Sequence, residues 1–298
     1  MKTFTITPEG PFSLQEAAGF GAGSNRQPFD GTMKMAFVVD GYREQAAVLL
    51  RQEDDGAIFG EVEGTRSVEA VSQQVARILS LDYNGNEWAE AGLRDPVIGR
   101  LQREYPGLRP VLFNSPYEGA VWAVLSARRH RAQARRTLQK LAERHGKSLE
   151  LEGQTVHAAP LPEELIKVTS FPGIDAERLT RLHTIAQAAL DGLLDPVKLK
   201  KMNPDEAIAQ VKRLPGMGPF YASLVVIRAA GVRNVLPLNE PRTLEYIAHF
   251  YGLAKPPGLE AYLQIAERWE PYRTWAVVLL RVAGDRIKLG QPPRKGRR

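Results

Sequence analysis

The chain of 298 residues is 43% hydrophobic and 25% charged, long for one domain and apolar enough to build two or three compact units. It has no cysteine, which excludes disulfides, thiolate zinc sites, iron–sulfur clusters and thiol nucleophiles, and it has no apolar run of about 18 residues, which excludes a membrane-spanning helix. The net charge of +6 is split unevenly: residues 1–110 hold 11 of the 40 Lys and Arg against 16 of the 34 Asp and Glu, a net of −5, leaving 29 against 18 and a net of +11 for the rest.

The first 65 residues have the marks of β structure. Phe4-Thr5-Ile6-Thr7 alternates and stops at Pro8, and Met33 to Val39 alternates before turning wholly apolar. Ala46 to Leu50 and Ala57 to Val62 follow, set off by Asp-Gly turns at Asp40-Gly41 and Asp55-Gly56. Val68, Val71, Val75 and Ile78 share one face of a helix predicted over 67–79. A small antiparallel sheet backed by helices is expected. From about residue 85 helical patterning takes over, broken by Pro96, Pro106, Pro110 and Pro116. Helices are predicted over 116–125, over 132–145 with Gly146 as a stop, and over 174–190. Asn203 caps another, with Pro204 in its first turn. Further helices are predicted over 221–230 ending at Gly231, over 241–251, over 260–269 and over 274–289. Residues 292–298 form a basic tail expected to be disordered, and no internal repeat is present.

The basic two-thirds of the chain points to a polyanion partner, or else to a solvated basic surface. Within it lies Leu214-Pro215-Gly216-Met217-Gly218-Pro219-Phe220-Tyr221-Ala222, a tight turn between two helices. Gly216 and Gly218 are expected to take conformations closed to other residues, with Met217 pointing inward as a pin. The amide groups that open the next helix would then hold a phosphate oxygen without regard to base sequence. The competing reading is an ordinary helix–turn–helix connection. Further along, Leu236-Pro237-Leu238-Asn239-Glu240-Pro241 places a carboxylate just before another helix.

These stretches resemble the helix–hairpin–helix DNA glycosylase superfamily, specifically its 3-methyladenine DNA glycosylase II type. Three more segments carry the likeness: Asp95-Pro96-Val97 through Tyr105-Pro106-Gly107-Leu108-Arg109, Ser115-Pro116-Tyr117-Glu118-Gly119-Ala120-Val121-Trp122-Ala123-Val124-Leu125, and Ala266-Glu267-Arg268-Trp269-Glu270-Pro271-Tyr272-Arg273-Thr274-Trp275-Ala276. The resemblance spans essentially the whole chain. It implies an α+β protein: a TATA-binding-protein-like antiparallel sheet with helices over 1–110, then an all-α glycosylase core over 111–290, with two helical subdomains and a cleft between them. The tail over 291–298 stands apart.

Such enzymes bend DNA, flip a damaged nucleotide out of the stack and cut the bond between base and deoxyribose. The expected partner is double-stranded DNA with a damaged base, met by a cytoplasmic, nucleoid-associated monomer; the start, Met1-Lys2-Thr3-Phe4-Thr5, has no apolar signal core. No cofactor is required, although the family's hairpin often holds a structural Na+ or K+, here through the backbone carbonyls of Lys212, Leu214 and Met217. Phe220 occupies the position where bifunctional relatives carry a Schiff-base lysine, so a monofunctional glycosylase acting on an alkylated or deaminated purine is favoured over a lyase. The alternative is a catalytically weakened protein that binds damaged or distorted DNA.

The chain departs from the family at three places. Glu240 stands where the family has Asp, as the acid that stabilises charge on the sugar or orients water. The added methylene moves the carboxylate by about 1.5 Å, and a misplacement of about 1 Å can cost about 100-fold in rate. The competing role for Glu240 is to cap the helix opened by Pro241. The apolar wedge that fills the gap left by a flipped base is replaced within Ser126-Ala127-Arg128-Arg129-His130-Arg131. Arg128 aligns with the wedge and would stack or bind phosphate; His130 is a second candidate, with Arg129 and Arg131 as further DNA contacts. A solvated basic helix start is the competing reading. Around the base, Phe220 would stack unless it is plain core, with Trp122 and Tyr221 beside it, while Leu224 and Arg281 replace aromatic residues. Arg281 would repel a cationic alkylpurine and suit a neutral or anion-like lesion. His183 and His249 read as structural, and Trp269 and Trp275 as packing residues.

Overall fold

Four alternating segments, β1 (Lys2–Ile6), β2 (Thr32–Val38), β3 (Gln45–Gln52) and β4 (Ile58–Glu63), pair antiparallel in the order β1-β4-β3-β2. The structure is a computed structural model that describes residues 2–19, 29–238 and 240–287. Its register sets Val48 of β3 opposite Met35 of β2 and Val62 of β4. The Asp-Gly turns are as expected: Gly41 and Gly56 have φ of 91° and 87°, values open to glycine at little cost. One face of the sheet packs on the short helix α1 (Leu14–Ala18) and on α2 (Val68–Ile78), whose Val71, Val75 and Ile78 are wholly buried. Each such side chain contributes about 1.5–3 kcal/mol by leaving water.

After the sheet, α3 (Gly85–Arg94) and α4 (Pro96–Glu104) lead to α5 (Pro116–Ser126) and α6 (Arg131–His145). A hairpin absent from the sequence expectations then intervenes, β5 (Ser148–Leu151) with β6 (Gln154–His157). Its Leu149 and Leu151 cover Ala47 and Leu49 on the second face of β3, so the central strand is buried on both sides. The chain continues through α7 (Pro162–Ile166), α8 (Ala176–Leu190), α9 (Pro196–Lys201), α10 (Pro204–Lys212) and α11 (Pro219–Val225). A π-helical turn (Val226–Ala230) extends α11, and α12 (Pro241–Phe250), α13 (Leu259–Glu267) and α14 (Arg273–Arg286) complete the described elements. The expected basic tail lies outside the described residues.

The fold is thus α+β, a four-stranded antiparallel sheet followed by helices. Its cores do not follow a single cut at residue 110. Trp88, Ala91, Ile98, Leu101 and Leu108 pack with Ile247, Tyr262, Trp269, Tyr272 and Trp275, so α3 and α4 belong to the core of α12–α14 rather than to the sheet. The remaining helices share a second core around Tyr117, Val121, Leu182, Met217 and Val225. Trp269 and Trp275 are buried packing residues, as expected.

Buried polar side chains join these parts. Asp95 is wholly buried; it caps α4 by accepting from the amides of Val97 and Ile98 at 2.9 and 3.1 Å, and it takes the Tyr251 hydroxyl at 2.7 Å. Arg77, from the helix that backs the sheet, pairs with Asp40 at 2.9 Å and donates to the Ala229 carbonyl at 2.6 Å. That second bond crosses from the sheet unit to the π-helical turn behind the functional cleft.

Candidate active-site cleft

Asn203 accepts the Asp205 amide at 2.9 Å and starts α10, which delivers the chain to the hairpin. Gly216 has φ 83°, which favours glycine, and a Cβ there would lie 3.1 Å from Cδ of Arg181, so that side chain would have to shift slightly. Met217 is 3% exposed and its amide donates to the Leu214 carbonyl at 3.0 Å, closing the turn. Gly218 differs from expectation: φ −68° and ψ 173° are open to any residue, and a Cβ would meet nothing within 4 Å. Its want of a side chain serves nothing inside the molecule. The first backbone bond of α11 runs from Ala222 to Gly218 at 3.0 Å. The amides of Phe220 and Tyr221 therefore precede the helical ladder and are not used by it. Among the expected DNA contacts, Met217 spends its amide in the turn and Pro219 has none. The amides left outside the ladder at this helix start are those of Phe220 and Tyr221, beside the open space at Gly218.

Phe220, Tyr221, Leu224, Trp122, Glu240, Arg281, Pro219 and the run Arg128, Arg129, His130 and Arg131 all line one cleft of about 1090 Å³. Phe220 is 52% exposed and meets Tyr221 edge to face at 5.3 Å, so it is a cleft-lining ring and not core. Trp122 is half-buried, packed against the helical core with one side in the cleft. Leu238, 51% exposed on the segment before Glu240, is a further lining residue.

Glu240 stands at the N-cap position of α12, but its side chain makes no capping bond. Its Oε2 accepts from the Thr243 hydroxyl at 2.9 Å, and its Oε1 is ion-paired with Nη1 of Arg281. Arg281 in turn lies 5.8 Å from the ring centre of Tyr246. Arg228, on the π-helical turn, also lines the cleft; its Nη2 donates to the Val111 carbonyl at 2.6 Å. Desolvation pulls its guanidinium pKa down to about 10, Glu240 opposes that fall, and Arg281 adds to it. Arg228 escaped the sequence reading. Its signal was a lone arginine within the apolar run from Leu224 to Ala230.

The loop after α5 holds Arg128 in the left-handed region at φ 55°. Such a conformation costs a non-glycine residue about 1–3 kcal/mol. The neighbours fix it: Nη2 of Arg178 donates to the Ala127 carbonyl at 3.0 Å, and Arg129 lies 3.6 Å from Asp175 and donates to the Gly173 carbonyl. Arg128 is exposed and has no hydrogen bond or ion pair among the described residues, whereas Arg129 is held by the protein. His130 takes the N-cap position of α6 without a side-chain bond, and Arg131 is exposed beside it. His183 is structural, bonded through Nε2 to the Val168 carbonyl at 2.9 Å.

No family model matches the chain. Over 216 residues, 71% of this chain and 71% of the relative, it is 23% identical to a DNA-3-methyladenine glycosylase of Bacillus subtilis. In structure it is similar to the 3-methyladenine DNA glycosylase from Archaeoglobus fulgidus, with a TM-score of 0.73 and 22% identity over 96% of this chain and 99% of that one. It is also similar to an 8-oxoguanine glycosylase/lyase of Clostridium acetobutylicum in complex with double-stranded DNA, with a TM-score of 0.65 and 15% identity over 96% of this chain and 99% of that one.

Proposed function

We propose, from the premise that this chain belongs to the helix–hairpin–helix DNA glycosylase superfamily, that it is a monofunctional glycosylase that flips a damaged purine from duplex DNA and hydrolyses its N-glycosidic bond. The observation that carries this reading is the convergence of a carboxylate, an exposed aromatic ring and an arginine with no partner among the described residues on one cleft beside the hairpin. The cleft is large enough for a nucleotide. Phe220 offers its face to the extruded base, and Arg128 is placed to enter the gap in the stack. The amides of Phe220 and Tyr221 would bind a phosphate of the DNA backbone. Among the described residues no lysine lines the cleft, which supports hydrolysis by water over a Schiff-base lyase step.

Glu240 supplies the anion. Glycosidic cleavage builds oxocarbenium character on the sugar, and a nearby carboxylate stabilises it or orients the attacking water. A monovalent cation held by the carbonyls of Lys212, Leu214 and Met217 would add a second phosphate contact. The Leu214 carbonyl already accepts one amide and keeps a lone pair for such an ion.

The second reading is a binder of damaged DNA without turnover, favoured by the pairing of Glu240 with Arg281, which offsets the charge of the acid. Duplexes carrying hypoxanthine, 1,N6-ethenoadenine or methylated purines, followed by alkaline cleavage of abasic sites, separate the two. Base release by the wild type that falls by at least about 100-fold in Glu240→Gln is the expected result. Tight binding without release on every lesion would leave only the second reading.

A further inference from the structure

Glu240 is held from both sides: Arg281 pairs with one carboxylate oxygen and Thr243 donates to the other at 2.9 Å. Arg228 lines the same cleft, with its Nη2 donating to the Val111 carbonyl. The described lining of the cleft holds seven arginines against Glu240 and one other acid, so the surroundings of Glu240 are positive at neutral pH. Asp285 also lines the cleft, but it accepts the Tyr246 hydroxyl and lies 3.9 Å from Arg242, so its charge is answered outside this group. An acid meant to attract a cationic base would be left without such partners.

We infer that Arg281 is a specificity-determining residue, which fixes Glu240 toward the sugar and turns the cleft toward neutral purine lesions with exposed acceptor atoms, such as deaminated purines, and away from cationic N-alkylpurines. The inference rests on the glycosylase reading above and names its substrate class. The leaving groups differ in the way that matters here. When a neutral purine departs, the C1′–N9 bond breaks with its electron pair on the base, which leaves as an anion until it gains a proton. Guanidinium groups beside the base stabilise that anion. The oxygen of a water molecule bonds to C1′; one of its protons remains on the new hydroxyl and the other goes to the base. Water and nucleotide thus become an abasic sugar and a neutral free base. A cationic alkylpurine leaves as a neutral base, so the same guanidinium groups repel it on entry and find no charge to stabilise as it departs. Between unit charges a ring's width apart in a partly desolvated cleft, this difference supports a bias of about tenfold or more.

The test compares excision of hypoxanthine and of 7-methylguanine from otherwise identical duplexes, each corrected for spontaneous release, by the wild type, Arg281→Gln and Arg281→Lys. The expected result is a wild-type preference for hypoxanthine that falls by about tenfold or more in Arg281→Gln and is restored in part in Arg281→Lys, which keeps the charge without the planar fork. A wild-type preference for 7-methylguanine overturns the inference, and so does a preference unchanged in a folded Arg281→Gln. Because the wild-type preference needs no substitution, a variant that fails to fold does not shield the idea. Release of neither these bases nor any of the other lesions named above defeats the glycosylase reading itself, an outcome distinct from the wrong preference.

Discussion

Glu118 shows how much a single side chain feels the join between sheet and helices. Its carboxylate accepts from the Val38 amide at 2.9 Å and from the Asn114 side chain at 2.7 Å. Desolvation pushes its pKa from 4.5 up to about 7, against the pull of those two donors. In the unfolded chain the group ionises near the lower value. Between the two values the folded state binds more protons, so stability is lost as pH rises through this window. The loss is about 2 kcal/mol once partial exposure is allowed for. Glu118→Gln removes the titration, and the Asn114 amide can turn over to accept from the new NH2 group. Thermal melting should therefore improve for the variant relative to wild type by a few degrees between about pH 5 and about pH 8. A difference that stays flat across that range would refute the buried-carboxylate account. At this same scale Arg128, Phe220 and Glu240 were legible, because each follows a motif in the chain. The ion pair of Glu240 with Arg281 was not, because the two are 41 residues apart and meet only through the packing of α12 on α14.

At the scale of elements, the two hairpin glycines separate folding from recognition. Gly216→Ala forces a side chain into positive φ against Arg181 and should lower stability by about 1–2 kcal/mol. Gly218→Ala adds a methyl group to open space at an ordinary φ. It should melt within about 0.5 kcal/mol of wild type while binding duplex DNA several-fold more weakly, as measured by fluorescence anisotropy. Equal DNA affinity in Gly218→Ala would count against a phosphate seated at this turn. The four strands, α2 and the capped start of α10 were readable because local alternation, Asp-Gly turns and an Asn-Pro start fix them independently of the rest. Strands β5 and β6 have four residues each, and the alternation of Ser148-Leu149-Glu150-Leu151 was missed because it sits within a long helical stretch of the chain. They exist because Leu149 and Leu151 have the face of β3 to cover. The π-helical turn has no signature in an apolar run that reads as plain α-helix.

Across the whole molecule, the helical half does not stand apart from the sheet. Arg77, on the helix that backs the sheet, spans Asp40, Asn114 and Ala229. Arg77→Met would leave the Asp40 carboxylate and the Ala229 carbonyl without that partner. The expected cost is about 3 kcal/mol, with base release impaired beyond the loss of folded protein because the turn bearing Arg228 loses its brace. Activity per folded molecule, counted by urea titration of the same samples, decides this; wild-type activity per folded molecule would confine Arg77 to a structural role.

The hairpin β5–β6 carries this dependence further. It is encoded within the helical half, yet its Leu149 and Leu151 pack on the sheet that precedes it by about a hundred residues. A gene cut between the two halves would yield a helical fragment with a bare leucine ribbon, ready to add to the edge of a stranger or of its own twin. In this chain, then, the burial of Leu149 and Leu151 is a condition that only the presence of both halves can meet.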